Sequence, residues 1–251
     1  MDDVLTALDD QLDELRALVV DRDDRELLQP TRCPGWTAAD VLLHLAQTNE
    51  AAVASLEGRL GQFHLGGVEQ SAASDVDELA DAAVTAEREA GPSAIRDRWL
   101  QSATATSAAF RATDLHARVT WVVGEMAART LASTRLAESW IHTVDVGSAF
   151  AAEPAPTERL WHIARLAWRT VPYAFERAGV ELSGPVAFEL EAPDGSTWSF
   201  RPDDVEPTTV VRGTAAELCE VAGQRAEAPD TGLTAEGPDG ADVLRLVRTF
   251  A

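Results

Sequence analysis

Along the first two thirds of the chain, apolar residues recur at steps of three and four positions. In the first segment Leu5, Leu8, Leu12 and Leu15 form such a stripe, with acidic residues and Arg16 between them. This spacing places the apolar side chains on one face of an α-helix. Similar patterns, with breaks at Gly and Pro, predict further helices over residues 37–60, 76–112 with an interruption near 91–92, 125–152 and 157–178.

After Gly179 the period changes from about 3.6 residues to two. Alternating segments at 185–191 and 197–201 flank Pro193-Asp194-Gly195, which predicts a β-hairpin. A strand at 208–212 and helices at 214–222 and 239–250 complete this region. We therefore predict an α+β protein with two domains, an up-and-down four-helix bundle over residues 1–178 and a small α+β domain over residues 179–251.

Composition narrows the possible functions. The 251 residues are 45% hydrophobic, which suffices for a sizeable core. The sequence contains no lysine, so Schiff-base chemistry and a P-loop lysine are excluded. The net charge of −21 disfavours nucleic acid as a partner. The acidic N-terminal segment does not resemble a signal peptide and no apolar run is long enough for a membrane span, so we expect a cytoplasmic protein without membrane partners.

The predicted fourth helix carries three side chains that suit metal chemistry. Glu138 and His142 are four residues apart and Asp145 follows three later, so all three project from one helix face. A carboxylate and an imidazole at this spacing can hold a divalent ion, and Asp145 can orient the imidazole. The same spacing also occurs in ordinary surface ion pairs, and the segment alone does not decide between the two.

His44 strengthens the metal interpretation. It lies among Leu and Ala residues on the predicted second helix, where an imidazole without a partner would be costly to bury. A hydrogen-bonded core histidine is one explanation. The other is that His44, Glu138 and His142 form a three-ligand metal site between facing helices, with coordination positions left open as in catalytic sites. His64, His116 and His162 have no comparable setting, and Cys33 has no base near it in the sequence.

Two segments resemble a known family. Residues 31–46, which include Thr31-Arg32-Cys33-Pro34-Gly35-Trp36-Thr37 and His44, and residues 135–146, which include Glu138 and His142, are similar to the mycothiol-dependent maleylpyruvate isomerase family. This family belongs to the DinB-like metal-binding four-helix bundles. Segments around Thr120-Trp121, Gly124–Ala128, Val211–Cys219 and the chain end also fit, so the resemblance covers nearly the whole chain.

The resemblance implies a DinB-like bundle in which His44, Glu138 and His142 hold a divalent ion, with zinc the expected metal. It also implies a C-terminal domain similar to sterol-carrier proteins, and mycothiol as a cofactor whose thiolate attacks an electrophilic substrate. Other family members transfer thiols in natural-product pathways. The arginine-only, alanine-rich composition fits a GC-rich, actinobacterial host that makes mycothiol.

Three functions remain open from the sequence. The first is a metal-dependent isomerase or thiol transferase that acts with mycothiol on a small electrophile, in which we expect Arg225 to bind an anionic group. The second is a thiol-independent isomerase or cyclase in which the metal acts as a Lewis acid. The third is a non-catalytic metal-binding or ligand-binding module. We expect a monomer or a homodimer; the sequence identifies neither the substrate nor the role of Cys33.

Overall fold

The computed structural model describes residues 3–67, 76–122 and 124–249. The helices of this part of the chain are α1 (Val4–Val19), α2 (Asp24–Leu27), α3 (Ala38–Leu56), α4 (Val76–Glu87), α5 (Pro92–Arg111), α6 (Ala128–Ala149), α7 (Leu160–Ala178), α8 (Ala215–Ala222) and α9 (Gly240–Leu246). The strands are β1 (Arg118–Trp121), β2 (Gly124–Ala127), β3 (Val186–Glu191), β4 (Thr197–Phe200), β5 (Thr209–Thr214) and β6 (Thr234–Glu236). This mixed architecture, helical first and with most strands near the end, confirms the predicted fold class.

The contacts divide the chain into two units, and the first contains most of the helices. It comprises residues 3–135 and 142–154, and within it α5 packs on α1 and α3. Helix α6 contacts both α1 and α3. Gln11 Nε2 on α1 donates to Thr143 Oγ1 on α6 at 3.0 Å. Arg135 Nη2 on α6 donates to Asn49 Oδ1 on α3 at 3.0 Å. Helices α1, α5, α3 and α6 thus neighbour one another in a four-membered ring. This is the expected four-helix arrangement.

Helix α3 is buried almost all round, which is unusual for a helix of a small bundle. The run from Val41 to Ala46 is entirely buried, and α4, α5 and β1 pack against different sides of the helix. A helix that is apolar on every side is expected in the interior. His44 is therefore carried on a helix in the interior of the unit.

The second unit comprises residues 155–249 together with the segment Leu136–Ile141 of α6. Its sheet has the order β4-β3-β5-β6, in which β3 and β5 are parallel and the other pairs antiparallel. Helix α7 packs on this sheet and on α8, and Trp168 Nε1 donates to the carbonyl oxygen of Val186 at 2.8 Å. The contacts therefore group α7 with the C-terminal strands, whereas the sequence pattern places a domain boundary after Ala178.

Several predicted element ends differ from the structure. The fourth helix begins at Ala128 and not near 125, because Gly124–Ala127 pair with Arg118–Trp121 as strand β2. Helix α3 ends at Leu56, and α9 ends at Leu246, after which Thr249 N donates to the carbonyl oxygen of Ala222 at 3.0 Å. Helix α2 and strand β6 were not predicted. Most of the expected loop at 61–75 lies outside the described residues.

Within the described segments, no helix combines the length and the apolar character that crossing a bilayer requires.

Candidate metal centre

Helix α3 is started by a capping box that also fixes the position of His44. Thr37 Oγ1 accepts a hydrogen bond from Asp40 N at 3.2 Å, and Asp40 Oδ2 accepts one from Thr37 N at 2.9 Å. Both bonds satisfy backbone N–H groups that have no partner within the helix. His44 follows Asp40 by one helical turn and is buried, with its ring centroid 5.3 Å from that of Trp36.

The residues just before α3 form a tight turn that presents Cys33. Trp36 N donates to the carbonyl oxygen of Cys33 at 3.1 Å, and Pro34 and Gly35 occupy the two central positions. Gly35 has φ +80°, the left-handed conformation that a type II turn requires at this position and that glycine adopts without strain. Cys33 N also donates to Thr31 Oγ1 at 3.1 Å. The backbone of Cys33 is thus held on both sides.

On helix α6, His142 and Asp145 are joined as the spacing predicted. Nδ1 of His142 lies 2.9 Å from Oδ2 of Asp145, and both side chains are buried. Burial disfavours the imidazolium, but hydrogen bonds with Asp145 and Cys33 outweigh it and raise the pKa of His142 to about 9. Because Nδ1 faces Asp145, Nε2 is the nitrogen left for an ion shared with His44 and Glu138. A carboxylate that accepts the second N–H of a ligating histidine is a common arrangement in metal sites.

The structure brings the three predicted ligands together. His44, Glu138 and His142 offer ligand atoms that all lie within 4.8 Å of one another, and the rings of His44 and His142 meet edge to face with centroids 5.0 Å apart. Glu138 lies one turn before His142 on the same helix and is half-buried. Two imidazoles and a carboxylate are a donor set typical of zinc, whose ligands in a tetrahedral site lie roughly 3.3–3.6 Å apart. The residues present therefore fit a divalent ion.

A second group, which the sequence did not reveal, adjoins the first. Cys33 Sγ lies 3.1 Å from Asp145 Oδ2 and 3.9 Å from His142 Nδ1. No base lies near Cys33 in the sequence, but the fold brings His142 and Asp145 of helix α6 next to this thiol. The turn signal Pro34-Gly35 indicated a fixed backbone at Cys33, but nothing local indicated its neighbours.

A buried arginine precedes Glu138 on helix α6. Arg135 is only 1% exposed, and its Nη2 donates to Asn49 Oδ1, while Asn49 Nδ2 donates to Ser102 Oγ at 3.3 Å. This chain of hydrogen bonds links α6, α3 and α5 and keeps a positive charge three residues before Glu138. The sequence analysis missed Arg135, since arginine in a helix is usually exposed.

The remaining candidates lie elsewhere. His162 is buried on α7 with its ring 5.2 Å from Trp161, and Cys219 is buried on α8, where burial raises the pKa of its thiol. Neither belongs to a metal-ligand group within the described residues. Arg225 follows α8 in the second unit, half-buried, and its Nη1 donates to the carbonyl oxygen of Gly223 at 3.0 Å. Its predicted role in binding an anion stays a prediction.

Comparisons with known proteins agree with the predicted resemblance. Residues 8–147 match the family model of the mycothiol maleylpyruvate isomerase N-terminal domain. Two uncharacterized proteins, from two strains of Mycobacterium tuberculosis, are 30% identical to the chain over 240 residues, which cover 95% of this chain and 91% of theirs.

Solved structures show the same fold. A crystal structure of the mycothiol-dependent maleylpyruvate isomerase superposes with a TM-score of 0.60 at 19% identity, covering 94% of each chain. A structure of a single-residue mutant of that isomerase gives a TM-score of 0.59 at 20% identity, again over 94% of each chain. At these identities the likeness establishes the fold alone, whereas the match to the family model covers more than half of the sequence. The chain belongs to the family defined by the mycothiol maleylpyruvate isomerase N-terminal domain.

Proposed function

We propose that this protein is a metal-dependent enzyme that uses a low-molecular-weight thiol, mycothiol, for isomerisation or S-transfer on an electrophilic small molecule. The observation that carries the proposal is the convergence of His44, Glu138 and His142 in a chain of this family. The solved neighbour is named a mycothiol-dependent isomerase, which supports mycothiol as the thiol and isomerisation as the reaction class.

In this proposal His44, Glu138 and His142 hold the ion, with zinc the metal best suited to the donor set. A bound ion supplies Lewis acidity that keeps a thiol ionised at neutral pH. Asp145 holds the proton on Nδ1 of His142 and so keeps Nε2 available as a ligand. Three protein ligands leave a coordination position open, as catalytic sites require.

The residues of the chain itself favour an external thiol over a protein nucleophile. Cys219 is fully buried, and burial raises its pKa, so its thiol stays protonated at neutral pH. Cys33 donates its S–H to the buried carboxylate of Asp145 at 3.1 Å, which directs the thiol into the protein rather than toward a substrate. The sequence has no lysine to serve in their place.

We assign Arg225 to the binding of a carboxylate on the thiol or the substrate, because a guanidinium can bind a carboxylate through two parallel hydrogen bonds. Arg225→Lys keeps the charge and loses this geometry. We expect the KM for the anionic compound to rise about tenfold or more while metal content stays unchanged. An unchanged KM would remove Arg225 from the proposal.

A turnover assay tests the function in four combinations of thiol and zinc for each of two electrophiles. The protein is assayed with maleylpyruvate and with a generic aryl halide electrophile, with and without mycothiol and with and without zinc. We expect activity only when both thiol and zinc are present, and Cys219→Ser should retain it. Full activity with zinc alone would favour the Lewis-acid alternative. If the zinc-loaded protein with mycothiol is inactive on both electrophiles, the proposed reaction is contradicted. The third alternative, a non-catalytic metal-binding or ligand-binding module, is then favoured.

The proposed setting is the cytoplasm, with a small-molecule substrate and without nucleic-acid or membrane partners. The charge of −21 supports the exclusion of polyanions. We propose a monomer or a homodimer, which light scattering coupled to gel filtration distinguishes directly.

A further inference from the structure

The Nδ1 side of His142 carries three different potential ligand atoms in one place. Asp145 Oδ2 lies 2.9 Å from His142 Nδ1, Cys33 Sγ lies 3.1 Å from Asp145 Oδ2, and Cys33 Sγ lies 3.9 Å from His142 Nδ1. A thiol, an imidazole nitrogen and a carboxylate thus form a small triangle. In the proposed function, Nδ1 of His142 does not bind a metal ion.

The dimensions of the triangle are close to those of a metal site. Zinc holds sulfur at about 2.3 Å and nitrogen or oxygen at about 2.0–2.2 Å, which separates tetrahedral ligands by roughly 3.3–3.6 Å. The three observed separations lie on both sides of this range. Each atom would have to move by roughly half an ångström or less, because the protons now shared by the three groups would be replaced by one ion.

We propose that Cys33, His142 and Asp145 form a second metal-ligand set, selective for thiophilic divalent ions. His142 offers Nε2 to the set with His44 and Glu138 and Nδ1 to the set with Cys33. The inference goes beyond the proposed enzyme function and does not depend on it, since it concerns ion binding alone.

The binding step balances without an oxidant or a reductant. The ion displaces the thiol proton of Cys33 and the Nδ1 proton of His142, both of which pass to solvent, while Asp145 stays a carboxylate. Sulfur in the set favours zinc and cadmium over calcium and magnesium, which prefer oxygen ligands.

The three residues of this set differ in burial, and two of them are held on one helix. Cys33 is half-buried on the type II turn and is the most exposed of the three residues. Asp145 is fully buried and His142 nearly so, and both lie on the same helix, which fixes their separation. Burial also strengthens the attraction between the ion and the carboxylate.

Cadmium titration of the metal-free protein tests the proposal, because cadmium–thiolate bonds give a charge-transfer band in the ultraviolet. We expect the band in the wild-type protein. We also expect it in His44→Ala, which lacks a ligand of the first set only, and in Cys219→Ser, the control for the loss of a cysteine. Cys33→Ser should abolish the band and reduce bound cadmium by one ion per chain. A band that persists in Cys33→Ser, or none in wild type, would overturn the proposal.

A measurement on wild type covers the case in which Cys33→Ser does not fold. Cadmium-113 NMR separates ions with a sulfur ligand from ions bound through nitrogen and oxygen alone. We expect one resonance shifted to the sulfur-ligated range. If every cadmium resonance lies in the range of nitrogen and oxygen ligands, the proposal is wrong. Cys33 is then only a hydrogen-bond donor to Asp145. No turnover is measured, so this result stands apart from the test of the enzyme function.

Discussion

His142 Nδ1 lies 2.9 Å from Asp145 Oδ2, one helical turn away on α6, and this contact leaves Nε2 as the nitrogen of His142 for an ion shared with His44 and Glu138. The carboxylate is fully buried and accepts from both His142 and Cys33. An accepting carboxylate fixes the ring orientation and increases the basicity of the opposite nitrogen. Asp145 therefore acts on the proposed metal site without contacting the ion.

Replacing Asp145 by alanine tests this relationship. We expect zinc affinity, measured by competition with a chelating dye, to fall by roughly 10- to 100-fold. Ser148→Ala, one turn further along α6, is the matched control and should leave the affinity unchanged. Equal affinities in the two variants would show that the carboxylate does not support the site.

Removal of a ligand should have a larger effect than removal of its support. His44→Ala, Glu138→Ala and His142→Ala should each lose the ion that this set holds, about one per chain after dialysis, because two protein donors remain where catalytic sites use three. His162→Ala removes an equally buried histidine outside the cluster and should retain the metal. Elemental analysis measures the metal content of the four variants. Equal metal content in all of them would exclude His44, Glu138 and His142 as the ligand set.

Thr37→Ala should destabilise the protein through the start of α3. The substitution removes the oxygen that accepts from Asp40 N at 3.2 Å, and loss of such a cap costs about 1 kcal/mol. Thr37→Ser keeps this oxygen and should remain close to wild type. Urea unfolding monitored by circular dichroism measures the difference, and equal midpoints for the two variants would contradict the role of the cap.

Glu87 should make stability depend on acid pH. Its carboxylate accepts from Gln47 Nε2 and Arg98 Nη1, both at 2.8 Å. Burial tends to raise the pKa of Glu87, but these hydrogen bonds outweigh it and lower the pKa. A lowered pKa contributes stability above the glutamate pKa of the unfolded chain, and this contribution is lost as the pH falls through the pKa of the folded state.

Glu87→Gln should therefore lower the free energy of unfolding at pH 7 by about 1 kcal/mol or less, since the group is partly solvated. The loss should shrink below about pH 4. The neighbouring exposed Glu89→Gln serves as the control and should leave the curve unchanged. A difference between Glu87→Gln and wild type that stays constant from pH 7 to pH 3 would contradict this assignment.

The sequence predicted the elements that have local signals. Thr37 and Asp40 mark the start of α3, and Gly179, with φ +66°, ends α7 as predicted. The Pro193-Asp194-Gly195 turn identified the β3–β4 hairpin. In each case the residues that decide the structure lie within a few positions of one another, so their preference is visible without the fold.

The elements that were missed depend on distant partners. Glu125, Met126 and Ala127 favour a helix by propensity, but pairing with β1 makes them a strand. His44, Glu138 and His142 were found through spacing and family resemblance. Cys33 and Asp145, by contrast, are 112 residues apart, and only the packed helices bring them together.

This separation also affects how the protein folds. Contacts between residues that are far apart in sequence form late, because closing a long loop costs entropy before the contact stabilises the chain. The ion-binding cluster therefore exists only in the folded state, and an ion that binds there shifts the folding equilibrium by mass action. On the proposed metal binding, the concentration of free metal helps to set the folded fraction, and cells grown in metal-poor medium should accumulate less of the native protein.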